Sequence, residues 1–302
     1  AQIKGNDLYI DDVKATDLVK QYGSPLYVMS EGHIRKQFNT LKTKMIDKYE
    51  NTLPLFASKS FSCKAIYKLA MEYGVGIDCV SAGEISVALK AGFDPKKIYF
   101  HGNNKLPSEI QYALENGVEN FVIDNFYEIE LVEEIASKLN VKVNGLVRIT
   151  PGVYAGGHDY IRVGAKDTKF GFSSHDNTYL KAIKKVIDAP HINFDGIHCH
   201  VGSQIEEIQA YVLAMNKFVD IAYDIFGIVI NKLNAGGGFG IQYTASDHPL
   251  EFDDVVSTIM DIIYKGFDRR NMKRPMVLVE PGRYCVGNAG ITLYTVGSYK
   301  YI

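Results

Sequence analysis

The feature that most constrains the fold is a repeating order of short apolar run, turn and amphipathic helix. Eight apolar runs follow one another along most of the chain, and nearly all have a helical pattern behind them. Buried strands that alternate with helices are typical of a parallel sheet. Eight such units in about 225 residues favour an α/β TIM (β/α)8 barrel over an open, doubly wound sheet. The doubly wound alternative needs a glycine-rich turn after its first strand, and Ser58–Phe61 offers none.

The same patterns set the predicted boundaries of the elements. The predicted strands are Leu53–Ser58, Val75–Val80, Lys97–His101, Asn120–Ile123, Lys142–Ile149, Ile192–His200, Ile228–Ala235 and Pro275–Val279. The predicted helices are Cys63–Tyr73, Ala82–Lys90, Ser108–Asn116, Phe126–Leu139, Thr178–Ile187, Ile208–Phe226 and Asp253–Tyr264.

The two ends of the chain have a different pattern. Asn6–Ile10 and Pro25–Ser30 alternate as antiparallel strands do, and Gly290–Lys300 is an alternating β run. These segments predict a second, β-rich domain formed from both termini. We expect residues 1–30 to form its first strands, residues 31–284 the barrel and residues 285–302 the start of its C-terminal part. Because a strand pattern continues to the last residue, we expect this β domain to be incomplete at its C-terminal end.

Composition narrows the classes of function. The 302 residues include 33 basic and 35 acidic side chains, without a long run of either sign. This balance argues against nucleic acid or an anionic membrane as a partner. No apolar run approaches the roughly 18–20 residues that a bilayer requires. The four cysteines are widely spaced and include no C-x-x-C pair, which indicates reduced thiols. We therefore expect a cytoplasmic protein.

Polar and glycine-rich residues follow seven of the eight predicted strands. They are Lys59, Asp78, His101–Lys105, Arg148, His198–Gln204, Ala235–Gly240 and Glu280–Arg283. The active site of a TIM barrel lies at the C-terminal ends of its strands. This distribution therefore predicts one site at that rim.

A lysine and a run of glycines suggest the chemistry of the site. Lys59 directly follows an apolar strand, where partial desolvation would lower the pKa of its amine and favour Schiff-base formation. A solvent-exposed lysine at a strand end is the alternative. Gly236, Gly237 and Gly238 lie at a strand–helix turn, where backbone N–H groups can approach a phosphate. A merely flexible turn is the alternative, and a Walker loop is excluded because no G-K-[ST] follows.

Two histidines alternate in the segment HCHVGSQ, so His198 and His200 are both predicted to point into the barrel mouth. A metal site would need a third ligand such as Asp78. The rest of the rim argues instead for an organic phosphate, with His200 stacked on an aromatic ring and Ser203 donating to the phosphate. A hydrogen-bonded core histidine suits His198 better.

The segment EPGR sets an acid and an arginine beside a tight bend. A carboxylate such as that of Glu280 keeps a neighbouring pyridine nitrogen protonated, which makes the ring a stronger electron sink. Arg283 suits a carboxylate or a phosphate through paired hydrogen bonds. A surface ion pair between the two residues is the alternative.

Taken in order, these segments strongly resemble those of the fold-type III pyridoxal-phosphate decarboxylases. The likeness covers nearly all 302 residues, with one segment for almost every strand end. The segments are FASKSFSCKAI, DCVSAGE, HGNNK, RITPGVYAGGHDYIRVGAKDTKFGF, GIHCHVGSQI, NAGGGFGI and EPGR. HGNNK and Lys169–Gly171 (KFG) favour the branch that converts meso-2,6-diaminopimelate to L-lysine and CO2.

The resemblance implies pyridoxal 5'-phosphate as the cofactor, no metal, and a small amino acid as the substrate. It implies that Lys59 bonds to the aldehyde of the cofactor, that His200 stacks on its ring and that Glu280 pairs with its pyridine nitrogen. Arg283 would also meet a substrate carboxylate. The groups implied to hold the phosphate are Ser203, Gly236, Gly237, Gly238 and the backbone of Gly282 and Arg283. Asp78 and Arg148 would support the lysine and the ring from behind.

The resemblance also implies a homodimer with active sites shared between subunits. The family's proton donor is a cysteine in a Cys-Glu-Ser-x-Asp segment that reaches the neighbouring subunit's site, and we expect that segment beyond residue 302. None of Cys63, Cys79, Cys199 and Cys285 occupies an equivalent position.

Three alternatives remain at this point. A decarboxylase of the same fold could act on ornithine, arginine or carboxynorspermidine. A racemase on the same barrel would place an arginine, and not an acid such as Glu280, near the ring nitrogen. A noncatalytic carrier of pyridoxal phosphate would have no use for a split β domain.

Overall fold

The computed structural model describes residues 1–152, 169–225 and 227–301. In these ranges no helix combines the length and the apolar character that a bilayer-spanning segment needs. The long segment after the fifth predicted barrel strand, which contributed to the family resemblance, lies outside the described residues between 153 and 168.

The elements are numbered in chain order. The strands are β1 Gln2–Lys4, β2 Asp7–Ile10, β3 Val13–Lys14, β4 Leu26–Met29, β5 Thr52–Ala57, β6 Gly76–Cys79, β7 Ile98–Phe100, β8 Asn120–Ile123, β9 Val143–Thr150, β10 Phe172–Ser173, β11 Ile192–His198, β12 Lys232–Asn234, β13 Met276–Val279 and β14 Gly290–Leu293. The helices are α1 Ala15–Tyr22, α2 Glu31–Leu41, α3 Lys64–Glu72, α4 Ala82–Ala91, α5 Pro107–Glu115, α6 Phe126–Leu139, α7 Thr178–Asp188, α8 Ile208–Asp224, α9 Phe252–Arg269 and α10 Arg283–Val286.

The central sheet closes on itself. In the described residues, eight parallel strands pair in the order β5, β6, β7, β8, β9, β11, β12 and β13, and β13 pairs again with β5. The short strand β10 adds a parallel pairing to the end of β9. The predicted TIM barrel is therefore confirmed, because closure leaves no edge of the kind that an open doubly wound sheet has.

Side-chain caps at the strand ends start some of the helices at once. Ser81 follows β6 and accepts a hydrogen bond from the backbone N–H of Glu84, at 3.2 Å, in the first turn of α4. Asn125 follows β8 and accepts from the N–H of Glu128, at 2.9 Å, in the first turn of α6. Such caps satisfy N–H groups that have no partner within the helix. They fix the direction of the chain where strands reach the rim.

Apolar side chains fill both faces of the barrel wall. The larger core cluster lies between the sheet and the surrounding helices, and includes Phe38, Phe56, Tyr211 and Phe218. A separate, smaller cluster fills the barrel interior and comprises Leu55, Tyr99, Val122, Leu146 and Leu278. Because packed side chains plug the barrel below, the rim cavity described next lies at one end of the barrel.

The two ends of the chain meet in one strand pair. β14 pairs antiparallel with β4, and Gly290 lies opposite Met29. Strands β1 to β3 form a separate antiparallel meander. The prediction that both ends supply β structure is therefore correct, while the division at residues 30 and 284 stays a prediction.

Three predicted elements differ from the structure by more than two residues at one end. The strand predicted to run to Lys300 ends at Leu293, because β4 supplies pairing partners only as far as Leu26. The strand predicted from Ile228 begins at Lys232, because the N–H of Ile228 forms a turn with Ile225 after α8. Helix α9 continues past the predicted end at Tyr264 to Arg269, which buries Phe267.

Candidate active site

A cavity of about 360 Å³ opens at the rim where the barrel strands end. Eight of the predicted site residues line it: Lys59, Asp78, His200, Ser203, Gly238, Glu280, Gly282 and Arg283. The lining also includes Tyr243, which the sequence did not single out. The prediction of one site at the C-terminal rim thus matches the position of this cavity.

The cavity has two parts of opposite character. Asp78 and Glu280 line its buried side. We call these two acids, together with His101, His198 and Asn234 behind them, the floor, and all of its members are at most 8% exposed. We call the exposed group Lys59, Ser203, Tyr243 and Arg283 the mouth.

Lys59 lies in the mouth, in a single 3-10 turn that directly follows β5. The hydroxyl of the preceding residue, Ser58, is buried and donates to Glu84, which also accepts from the N–H of Val80 at 2.7 Å. These bonds fix the turn to the start of α4. The prediction that Lys59 is partly desolvated is wrong, because the turn directs its side chain into the open cavity, where it is exposed.

Glu280 is the centre of the floor. Its Oε1 accepts a hydrogen bond from Asn234 Nδ2 at 2.6 Å, and its Oε2 lies 3.1 Å from His198 Nε2. His101 Nε2 lies 2.9 Å from Oε1. Burial acts to raise the pKa of Glu280, but the adjacent His101 and His198 outweigh it and hold that pKa well below its usual value. The floor therefore presents a carboxylate that stays ionised although it is buried.

Asp78 lies beside Glu280 but behaves in the opposite way. It is 2% exposed, and its Oδ1 lies 3.9 Å from His101 Nε2. Burial raises the pKa of Asp78 to about 6, with the negative charge of Glu280 acting in the same direction and His101 opposing it. Two neighbouring acids in the floor thus differ in how readily they ionise.

The two histidines of the HCHVGSQ segment have separate environments. Strand β11 ends at His198, so the predicted strand up to His200 is two residues too long. His198 is buried beneath Glu280, whereas the half-buried His200 lines the cavity and accepts the N–H of Gly237 on Nδ1 at 3.1 Å. Burial lowers the pKa of His198 to about 4 and that of His200 to about 3. Both rings are therefore neutral near pH 7.

A metal site made of His198, His200 and Asp78 is not what the structure assembles. His101, His198 and Glu280 form a different set of ligand-type atoms, within 4.8 Å of one another. The contacts of both histidines with Glu280 already account for this closeness.

The glycine run packs tightly between rim segments. A Cβ on Gly237 would lie 2.3 Å from the carbonyl oxygen of Glu280, and one on Gly238 would lie 2.5 Å from that of Gly202. Gly236 and Gly238 also have positive φ angles of 73° and 93°. The N–H groups of Gly236 and Gly237 donate to Asn234 Oδ1 and His200 Nδ1. Because both N–H groups already have acceptors, these bonds argue against their predicted role in binding phosphate. That role stays a prediction.

Arg283 links three segments of the mouth. Its Nη2 donates to Ser203 Oγ at 3.0 Å, and its Nη1 donates to the hydroxyl of Tyr243. Asp247 fixes the turn that holds Tyr243, because its Oδ2 accepts from the N–H groups of Tyr243 and Thr244. The guanidinium group is exposed and suits an anionic ligand.

Arg148 lies away from the cavity surface. Its Nη1 is 3.5 Å from Asp124 Oδ1, and its guanidinium carbon lies 4.3 Å from the centre of the Phe170 ring. Phe170 belongs to the KFG segment, so this contact joins that segment to the end of β9. A supporting role behind the cavity stays a prediction for Arg148.

Three residues that sequence reasoning left without a role lie in or beside this site. They are His101, Lys105 and Tyr243. HGNNK is predicted to follow a strand, but no local pattern indicates that His101 reaches Glu280, which is 179 residues later in the chain. Tyr243 follows the glycine run at a distance that no short motif defines.

The cavity fits pyridoxal 5'-phosphate by the chemistry of its lining. It offers an amine for the aldehyde, a buried carboxylate for the pyridine nitrogen, a neutral imidazole and an exposed guanidinium with a hydroxyl for the phosphate or a carboxylate.

Comparison with known proteins agrees with this lining. Residues 31–287 match the family described as "Pyridoxal-dependent decarboxylase, pyridoxal binding domain". The diaminopimelate decarboxylase of Bacillus subtilis is 42% identical over 298 residues, which are 98% of this chain and 68% of that protein.

Solved structures show the same likeness. The crystal structure of diaminopimelate decarboxylase from M. jannaschii superposes with a TM-score of 0.91 at 32% identity, over 100% of this chain and 70% of that one. Its complex with L-lysine gives a TM-score of 0.89, over 96% of this chain and 68% of that one.

Proposed function

The chain belongs to the diaminopimelate decarboxylases, within the pyridoxal-dependent decarboxylase family, and from this premise we propose that it converts meso-2,6-diaminopimelate to L-lysine and CO2. The observation that most supports this proposal is one cavity that contains both the amine of Lys59 and the buried, ionised carboxylate of Glu280. The complex of L-lysine with the M. jannaschii enzyme is consistent with the proposed product.

Pyridoxal phosphate supplies an electron sink that lets a carboxylate leave from the carbon next to an amine. In our proposal Lys59 would hold this cofactor through its aldehyde, and the exposure of its amine would leave that position accessible to a substrate amine. Glu280 holds the proton on the pyridine nitrogen, because a buried carboxylate with a low pKa favours a positive partner. His200 presents the face of a neutral ring.

Arg283 and Ser203 supply donors to anionic groups at the mouth. We propose that the guanidinium of Arg283 meets a carboxylate of the substrate and that Ser203, with the backbone of Gly238 and Gly282, contributes to phosphate binding. The Arg283–Ser203 hydrogen bond of 3.0 Å supports this arrangement, because it brings both groups to the same side of the cavity. Asp78 and Arg148 act behind these groups.

The experiment compares CO2 release from meso-2,6-diaminopimelate and from ornithine, using the complete protein as its gene encodes it, loaded with pyridoxal phosphate. We expect kcat/KM to be at least about 100-fold higher for diaminopimelate than for ornithine. Diaminopimelate has a second carboxylate, which Arg283 would bind through paired hydrogen bonds, and ornithine lacks it. Equal rates would favour the ornithine alternative. Cofactor absorbance without CO2 release from any amino acid would favour a noncatalytic carrier.

A chemical test of the cofactor bond needs no turnover. Borohydride reduction of the loaded protein, followed by peptide mapping, is expected to place the label on Lys59. A label on another lysine, or none, would contradict the proposed cofactor bond.

We also propose that the protein is a cytoplasmic homodimer with shared active sites, and that residues 1–30 and 285–302 belong to a β domain separate from the barrel at 31–284. Exposed apolar side chains near both ends support an interface there, among them Tyr27 at 82% and Val296 at 82% exposure. Sedimentation equilibrium tests the dimer, and a monomer at micromolar concentration would contradict it.

A further inference from the structure

We propose that His101 is a positioning residue that holds Glu280 in place and makes it, rather than Asp78, the acid that ionises first as the pH rises beneath the cofactor. This inference rests on the proposed function, because it concerns the acid that would face the pyridine nitrogen. Sequence analysis predicts His101 at the end of a strand and gives no role for it.

His101 lies between the two acids of the floor. It is 5% exposed, and its Nε2 lies 2.9 Å from Glu280 Oε1 but 3.9 Å from Asp78 Oδ1. Its ring meets that of His198 edge to face, with centroids 5.0 Å apart. Neither contact has the alignment of a hydrogen bond, so His101 acts on both acids through its charge distribution. The shorter separation makes Glu280 the acid that His101 influences more strongly.

The backbone at His101 is fixed from both sides. Its N–H donates to the carbonyl of Cys79 at 2.8 Å, which continues the pairing of β7 with β6. Four residues later, the ammonium of Lys105 donates to the carbonyls of Gly102 at 2.9 Å and Val122 at 2.7 Å, and to Glu128 Oε1 at 2.6 Å. With three acceptors for its three donors, this buried lysine secures the loop that sets the position of His101.

The charges around His101 are consistent with a choice between two acids. Two carboxylates that share a buried site do not both ionise easily, so a partner beside one of them decides which ionises at the lower pH. Asn234 and His198 bond to Glu280, whereas Asp78 Oδ1 has no hydrogen-bond partner. The described titratable groups near His101 are Asp78, Glu280 and His198, and the charges of Lys59, Glu84 and Arg148 also act on this group.

The test compares His101→Ala with His101→Gln in the cofactor-loaded protein. The absorbance of the bound cofactor is followed against pH, together with kcat and KM. Removing the donor should move the acid limb of the absorbance titration and of kcat upward by about one pH unit, because Glu280 then protonates more easily. We expect kcat to fall about 10-fold with KM changed less than about twofold. Glutamine keeps an N–H donor, so it should restore the limb to within a few tenths of a pH unit.

A matched control separates positioning from general loss of stability. His191 also pairs with a glutamate, since its Nδ1 lies 2.7 Å from Glu133 Oε1, but it lies outside the cavity lining. His191→Ala should leave the acid limb in place even where it lowers the melting temperature. An acid limb that stays fixed in His101→Ala, or that glutamine does not restore, would overturn the proposal.

A second measurement tests the role of His101 independently of the proposed function. The carboxyl carbon of Glu280 can be titrated by NMR in the cofactor-free protein, where decarboxylation has no influence. A higher Glu280 pKa in His101→Ala supports the positioning role whichever amino acid is the substrate. An unchanged titration contradicts it even in an active enzyme.

Discussion

The floor and the mouth of the cavity differ in exposure, and with it in what stabilises them. Floor side chains are buried, and Glu280 contacts two histidines and accepts a hydrogen bond from an amide. Mouth side chains are exposed, and Arg283 contacts Ser203 and Tyr243 from open solvent. Buried polar bonds affect folding stability, whereas exposed ones contribute little to it. Substitutions in the mouth should therefore change activity alone, and substitutions in the floor should change both.

The largest effect is expected from Lys59→Ala in the mouth. The variant should lose at least about 10³-fold in kcat, because among the described residues that line the cavity Lys59 is the one lysine. Its cofactor-free melting temperature should stay within about 1 °C of the parent, since the side chain is exposed. Differential scanning calorimetry and CO2 release measure the two quantities. The control is Lys64→Ala, which removes another exposed lysine, in α3. A large loss of stability in Lys59→Ala would contradict the expected difference between mouth and floor.

Gly237→Ala tests the junction of floor and mouth. The added Cβ would lie 2.3 Å from the carbonyl oxygen of Glu280, so the rim backbone must shift. We expect a loss of about 2–3 kcal/mol in the free energy of unfolding and a clear drop in activity. Urea unfolding gives the first value. Gly297→Ala, which would meet nothing within 4 Å, should leave both values unchanged. Equal stability of the two variants would show that the rim is not rigid.

Asp78→Asn sharpens the description of the floor through its pH dependence. The folded-state pKa of Asp78 is raised to about 6, above the unfolded value. Ionising it therefore opposes folding, and the stability present below pH 4 is lost as the pH rises through 6. The asparagine variant should gain on the order of 2 kcal/mol over the parent at pH 7.5 and nothing at pH 4. A difference that does not change with pH would contradict this description.

The smallest effect is expected from Tyr243→Phe. The change removes the hydroxyl that accepts a bond from Arg283 but keeps the ring in the cavity lining. We expect KM for the amino acid to rise about two- to threefold with the melting temperature unchanged, as for one exposed hydrogen bond. Steady-state kinetics measures the change. A change in kcat at constant KM would contradict this expectation, because it would indicate that Tyr243 acts on the reacting atoms and not only on substrate binding at the mouth.

The barrel was predictable because its signals are local. Strand β8 and helix α6 match their predicted boundaries, since apolar periodicity and a capping asparagine mark both within a few residues. The rim position of Lys59 and Glu280 followed from strand order alone. The failure at Gly290–Lys300 came from a partner elsewhere in the chain, because strand length depends on the strand that lies alongside. The failure at Ile228 came from a turn with Ile225, which apolar patterning does not indicate.

The contacts within the floor were less predictable, because they join residues that are far apart in the sequence. His101 and Glu280 come together only when β7 and β13 occupy their places in the closed barrel. The exposure of Lys59 depends on how a three-residue turn directs its side chain, which apolar patterning does not specify. Motifs indicated which residues gather at the rim. The closed fold determines which of them touch.

Closure of the barrel between β5 and β13 has a consequence for biosynthesis. The two strands that form this seam are about 220 residues apart in the chain. At the usual rate of about 5–20 residues per second, a ribosome needs roughly 10–40 s to deliver the second after the first. Throughout that interval the first barrel strand has an open edge of the kind that invites pairing with other nascent chains. Pairing between nascent chains therefore competes with closure of the barrel until β13 has been synthesised, well before any cofactor reaches the rim.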